Sequence, residues 1–268
     1  MALAALPQTL LDRFQTAREL LRKPDFDEDW ERCFPTTVEA FDRLLNGGLV
    51  RGELVELTGL RSNGRFSLVL TALATATSVG ESVALVDLGD HFDPQEAKTL
   101  GLDLERLLWL RPRHLKEALA AAEVLISGGF PLVALDIGVP PIPGGRGSQS
   151  SWQRLVKSAR DHHSALLVST PYRSSGPAAS VVIEARRAAV TWRGNGDSPK
   201  LLEGLRSRIT LGKARGRAAG SSEEIRLRYC TGSVAGTEHS VLPMLPAEAC
   251  CHGTVSEGSV SPRSVAYG

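Results

Sequence analysis

The chain of 268 residues is poor in cysteine, and none of Cys33, Cys230, Cys250 and Cys251 stands at metal-ligand spacing. Reduced thiols in a cytoplasmic protein are therefore expected, rather than a metal ribbon. No apolar run reaches the roughly 20 residues needed to cross a bilayer. The best, Phe66 to Ala76, is broken by Ser67, Thr71 and Thr75, so no membrane association is expected. Met1-Ala2-Leu3-Ala4-Ala5-Leu6 has no basic stretch before its apolar residues, which argues against a secretory signal. Ser169, Ser174 and Ser175 lack a G-x-S-x-G elbow, so a hydrolase triad has no support. Asp161-His162-His163 offers two imidazoles about 100° apart on a helix, which do not converge on a metal or a proton. No internal repeat is found, and no metal site is expected.

With 42% hydrophobic and 23% charged residues, the composition is that of an ordinary folded protein with a sizeable core. Net charge is only +1, but its distribution is uneven. Residues 1–60 hold 7 Lys/Arg against 11 Asp/Glu, whereas residues 186–228 hold 11 against 4. That asymmetry points to a polyanion or an acidic partner near the C-terminal part.

The strongest local signal is Gly59-Leu60-Arg61-Ser62-Asn63-Gly64-Arg65-Phe66-Ser67. It follows a strand-like run and opens a helix-like one, the context in which G-x-x-x-x-G-K-[ST] denotes a phosphate loop. Gly59 and Gly64 keep the spacing, but Arg65 takes the lysine position and Phe66 the metal-binding hydroxyl position. Arginine keeps the charge in a larger, planar group, and phenylalanine ligates no metal. Ser67 comes one residue late, rotated by roughly 100°. The amides at the helix start still offer an anion site, so phosphate or weak ATP binding stays open while hydrolysis is not expected.

Helical spacing of Leu10, Leu11, Phe14 and Leu21 predicts an amphipathic helix over 7–23, a candidate partner-binding element, followed by an acidic linker to residue 35. From residue 36 to 230, strands alternate with helices, predicting an α/β core with a mostly parallel sheet flanked by helices. Strands are expected at Leu54–Thr58, Ser82–Leu88, Leu107–Leu110, Leu132–Ile137, Ala165–Thr170, Val181–Ala185, Ala188–Trp192, Arg208–Lys213 and Ile225–Tyr229. Helices are expected at Thr37–Leu45, Ser67–Val79, Pro94–Leu100, Leu115–Ser127 and Ser151–His162. Residues 138–150 and 171–178 are expected to be irregular loops, and residues 231–268 a flexible tail.

Over about residues 36–229 the sequence resembles the RecA recombinase core. The resemblance rests on the lead-in Pro35 to Gly52, the strand and acidic loop Leu85 to Pro94, Gly101 to Pro112, and Pro131 to Ile137, which ends in a Walker B aspartate, Asp136. It implies a catalytic glutamate where this chain has Gly89, with Asp90 one place further on, and a γ-phosphate sensor glutamine where it has Pro171. Gly59, Gly64, Arg65, Ser67 and Asp136 are accordingly read as a vestigial nucleotide site without catalytic residues or a resident cofactor. Size, eroded loop and basic C-terminal stretch are similar to the ImuA family, RecA-like SulA-related proteins of a damage-induced mutagenesis cassette. That resemblance implies a non-catalytic role in SOS-induced translesion synthesis. The implied partners are RecA, the Y-family polymerase homologue ImuB and an alternative DNA polymerase III α subunit, in the cytoplasm at the nucleoid. The alternatives are a DNA-dependent ATPase in recombinational repair using Arg65 and Asp90, and a SulA-type cell-division inhibitor.

Candidate contacts for DNA or a partner are Arg146 and Arg173 in the two loops, and the cluster Arg206, Arg208, Lys213, Arg215 and Arg217. The loops do not interleave basic with aromatic residues beyond Tyr172, so a stacking platform is not indicated. Lys213 to Gly220 reads as a bend between strands that pushes its cations into solvent.

Overall fold

The computed structural model describes residues 32–142, 147–194, 200–229 and 244–246. The candidate helix residues Leu10, Leu11, Phe14 and Leu21, and the loop residue Arg146, lie outside them.

The strands richest in apolar residues are the ones buried on both faces, their polar residues (Glu56 apart) falling at the carboxyl ends. These are β3 (Leu54–Thr58), β4 (Val83–Asp87), β6 (Leu132–Asp136) and β7 (Ala165–Thr170), buried along their whole lengths. They form the centre of a nine-stranded sheet of order β11-β10-β9-β8-β3-β7-β6-β4-β5, with β5 spanning Leu107–Leu110. From β8 (Val181–Arg193) to β5 the pairing is parallel. β8, β9 (Leu201–Ala214), β10 (Ser222–Tyr229) and β11 (Met244–Pro246) continue the sheet antiparallel. A separate antiparallel pair joins β1 (Cys33–Phe34) to β2 (Leu49–Val50), and Phe34 packs into the core.

Strand side chains alternate between faces, and the two cores follow that alternation. Val55, Leu57, Leu132 and Ala134 pack on the face covered by α1 (Glu39–Leu45), α2 (Arg65–Ser78) and α3 (Pro94–Thr99). Leu54, Val133 and Leu135 pack on the opposite face under α4 (Leu115–Ser127) and α5 (Gln149–Asp161). Trp152 of α5 is fully buried there.

Several expectations are corrected. The separate strands Val181–Ala185 and Ala188–Trp192 are one strand, β8; a register irregularity between Arg187 and Ala189 breaks the sequence pattern without ending the strand. β9 starts at Leu201 rather than Arg208, because Gly204 and Glu203 do not end it. Helix α5 begins at Gln149, inside the stretch read as irregular, because Ser148 caps it by accepting from the Ser151 amide at 3.2 Å. Gly176–Ala178 form a short 3₁₀ turn. Met244–Pro246, read as tail, pairs with Leu227–Tyr229 at the sheet edge.

β3 pairs with β8 only as far as Glu184. Beyond that point β8 runs on past the carboxyl end of β3, where the glycine loop lies, as an arm paired with β9, which β10 backs as far as Gly204. This is the end of a parallel sheet at which ligands gather in open α/β folds.

Candidate functional site: a phosphate loop filled by its own side chains

Gly59 and Gly64 lie in the loop between β3 and α2, and Arg65 is the first residue of that helix. Gly64 has φ 82°, and a Cβ there would lie 2.0 Å from the Leu227 side chain, so only glycine fits. Asn63 is buried and folds into the loop, where a Cβ on Gly59 would meet its amide nitrogen at 1.9 Å. Its Nδ2 donates to the Ala185 carbonyl at 3.0 Å, and its Oδ1 accepts from the Arg65 amide at 3.0 Å. Ser207 Oγ closes the loop from β9 by donating to the Asn63 carbonyl at 2.6 Å. One of the helix-start amides that would face an anion is thus already bound to a side chain of the same loop.

Arg65 turns inward and is only 5% exposed. Its Nη1 donates to the Gly59 carbonyl at 2.7 Å and its Nη2 to the Gly138 carbonyl at 2.8 Å, with Asp136 Oδ1 at 3.7 Å. Its Nε has no partner among the described residues. Burial lowers its pKa and Asp136 opposes that shift; an arginine remains charged regardless. The guanidinium therefore staples the phosphate loop to the segment after β6.

Asp136 is fully buried at the end of β6, and both its oxygens are engaged. Oδ1 accepts from Ser169 Oγ, and Oδ2 lies 2.8 Å from His91 Nδ1. The bond to Asp136 raises the His91 pKa, against an opposing effect of burial. Asp87, at the end of β4, accepts from the His91 and Phe92 amides and is pushed upward in pKa mainly by burial. Phe66 packs edge-on against the His91 ring at 5.7 Å between centroids.

Gly89, where the sequence resemblance implies a glutamate, is closely packed. A Cβ on Gly89 would lie 2.5 Å from Asp136 Oδ2, 2.6 Å from Gly138 Cα and 2.8 Å from His91 Nδ1. The neighbouring Asp90 is exposed and ion-paired with Arg111 at 2.6 Å. Pro171 opens a loop held by fully buried Glu56, which accepts from the Ser174 and Ser175 amides and from Ser175 Oγ. Among the described residues no group of three or more His, Cys, Asp or Glu is placed to hold a metal ion.

Outside the staple lies a cavity of about 730 Å³ between the start of α2 and the β8–β9 arm, lined by Phe66, Ser67, Leu70, Trp192 and Leu202 among others. A second, of about 650 Å³, lies on the other side of the loop beside Tyr172, Arg173 and Arg186; Leu60, Arg61 and Arg187 border both.

The sequence cluster of cations does not form one patch. Arg206 and Arg208 stand on the exposed face of β9 along the arm. Lys213, by contrast, is opposite Val182, seven residues further along an extended strand and so roughly 24 Å from Arg206. Its Nζ donates to the Pro177 and Ala179 carbonyls, and Arg217 donates to the Leu44 carbonyl at 2.8 Å. The expectation that the hairpin pushes these cations into solvent is corrected for Lys213 alone, which is half-buried on two backbone carbonyls; Arg215 and Arg217 are exposed, Arg217 with one donor on the Leu44 carbonyl. Arg173 pairs with Glu184 at 3.2 Å. Sequence reasoning missed Asn63, His91, Glu56 and Trp192. A polar residue inside the glycine spacing, and a histidine beside an acidic strand end, were the available signals for the first two.

Residues 28–143 match the RecA N-terminal domain family. RecA of Streptomyces coelicolor (strain ATCC BAA-471 / A3(2) / M145) is 35% identical over 119 residues, 44% of this chain and 32% of that protein. RecA of Clavibacter michiganensis subsp. michiganensis is 40% identical over 104 residues, 38% of this chain and 29% of that protein. The chain therefore spans about a third of the length of the curated relatives it matches. The crystal structure of the RadB recombinase shares its fold with a TM-score of 0.54 at 21% identity, covering 72% of this chain and 95% of that one. The chain is RecA-like, in sequence through the stretch that holds the glycine loop and Asp136, and in fold through the sheet that carries them.

Proposed function

We propose that this chain is a RecA-shaped protein that does not hydrolyse nucleotide and acts by binding other proteins, in the manner of the ImuA family in damage-induced, error-prone translesion synthesis. The observation that carries the reading is the self-filled loop: Arg65 spans Gly59 and Gly138, and Asn63 takes the Arg65 amide. Those residues do not fit a magnesium nucleotide. Phe66 has no ligand atom, both Asp136 oxygens are engaged, and Gly89 leaves no room for a base. Asp90, the substitute base of an ATPase reading, is tied to Arg111 instead.

Partners under this reading are RecA, the polymerase homologue ImuB and the alternative polymerase III α subunit, engaged by the N-terminal residues Leu10, Leu11, Phe14 and Leu21 and by the basic C-terminal strands. The test is co-sedimentation of purified full-length protein with RecA filaments on single-stranded DNA, and capture by ImuB. Binding to at least one is expected. Failure to bind either, with filaments unperturbed, overturns the assignment.

A direct contact with nucleic acid has its own support. Arg186 lies directly across from Arg208, and Arg206 across from Arg226, on the exposed face of β8–β10. Opposed like charges cost stability. Glu184 and Glu224 offset Arg186 and Arg208, while Arg206 and Arg226 have no ion pair among the described residues. Replacing both with glutamine should lower the salt slope of single-strand binding by about 1.4. An unchanged slope removes this face from the account.

A further inference from the structure

We infer that the free edge of the β8 arm is a docking site for an extended segment of a partner protein, one that alternates apolar and acidic residues. The surface goes beyond the functional reading above, since nothing in that reading says which chemistry a partner must present.

Three observations meet at this edge. First, β3 leaves β8 at Glu184, and Asn63 takes the Ala185 carbonyl, so Arg186–Arg193 pairs with β9 on one side and with no described strand on the other. Eight residues of open strand, about 27 Å long, offer a row of backbone donors and acceptors to an added strand. Second, exposed apolar side chains gather around it. Six large hydrophobic residues are conspicuously exposed among the described residues, and Leu60 (73%), Val190 (36%), Trp192 (55%) and Leu201 (65%) flank the arm and loop. Val190 and Trp192 form one wall of the 730 Å³ groove, whose floor is Phe66, Leu70 and Leu205. An aromatic anchor beside a groove is the usual centre of a protein contact. Third, Arg61 and Arg187 border the groove and have no ion pair among the described residues, whereas Glu96 is the one carboxylate on its lining.

The occupant follows from that layout. A strand added to β8 turns alternate side chains toward the groove, where Val190 and Trp192 call for apolar residues. The carboxylates belong at positions that reach Arg61 and Arg187. A nucleotide fits less well, because Asn63 and Arg65 already occupy the loop hollow and the groove wall is apolar. A helix would leave the β8 backbone groups unmet.

The test uses the full chain and blocked octapeptides labelled for fluorescence anisotropy. One alternates Asp with Phe or Val, a second carries Lys in place of Asp, and a third is the acidic peptide N-methylated at alternate amides. The acidic peptide should bind at least tenfold more tightly than the other two. Trp192→Ala should weaken it about tenfold, and Arg61→Glu with Arg187→Glu should reverse the preference toward the Lys peptide. Equal binding of acidic and basic peptides, full binding of the N-methylated one, or indifference to Trp192→Ala overturns the proposal. So does a dimer of the full chain that Trp192→Ala dissociates, which would assign the edge to a second copy. ATP added to the same samples separates the two readings: turnover would defeat the non-hydrolysing role without touching the peptide result.

Discussion

Replacing Arg65 with alanine removes a guanidinium that is only 5% exposed and holds the Gly59 and Gly138 carbonyls at 2.7 and 2.8 Å. Hydrogen bonds from a charged donor are each worth about 1.5–3 kcal/mol. The substitution also strips buried Asp136 of its nearest fixed cation, 3.7 Å away, and breaking a buried pair typically costs about 3–5 kcal/mol. These contributions overlap, so they are not summed, and a loss of about 3–5 kcal/mol is expected. Urea unfolding of the full chain reads it as a lower midpoint at unchanged slope. Arg65→Lys should fall between, losing about 1.5–3 kcal/mol, because a single ammonium cannot reproduce the planar fork that spans both carbonyls. A double-mutant cycle with Asp136→Asn should then show coupling of about 0.5–3 kcal/mol. If Arg65→Ala costs less than about 1 kcal/mol, the guanidinium is no staple, and its availability to a phosphate must be reconsidered.

Gly89→Ala should destabilise by about 1–3 kcal/mol through overpacking against Asp136 and Gly138, measured in the same urea assay; a neutral result would mean the pocket for a catalytic base is still open. Glu56→Gln should cost about 1.5–3 kcal/mol and speed amide exchange at Ser174 and Ser175, whose amides the carboxylate accepts; unchanged exchange would refute the clamp. His91 has its pKa raised in the fold, chiefly by the bond to Asp136. A raised value stabilises the fold fully below the unfolded pKa near 6.5, and that stabilisation is lost as pH climbs through the folded pKa. The stability advantage of wild type over His91→Gln should therefore be largest below pH of about 6.5 and shrink above it; a pH-independent difference would show that the imidazole is not charged against Asp136.

The central sheet was legible because strands buried on both faces are mostly apolar; Leu54–Thr58 and Ala165–Thr170, and the half-buried edge strand Leu107–Leu110, match their expected bounds residue for residue. The arm was not. Once β8 leaves β3 it is no longer covered on both faces, and Arg186-Arg187 with the irregularity beside them reads like a strand end. The glycine loop was legible in its spacing, but Asn63 and His91 act through contacts with Ala185 and Asp136, which are distant in the chain. The cations from Arg206 to Lys213 are close in sequence and far apart in space, because an extended strand separates neighbours by about 3.4 Å per residue.

The most direct measurement is ATP turnover by the full chain, with and without single-stranded DNA and with magnesium present, beside the same assay on Arg65→Ala. A loop held closed by Arg65 and Asn63 predicts no turnover above background in any sample. Sustained hydrolysis by the wild type that disappears in Arg65→Ala would contradict the account, because it would put the guanidinium on a phosphate and not on the Gly59 and Gly138 carbonyls.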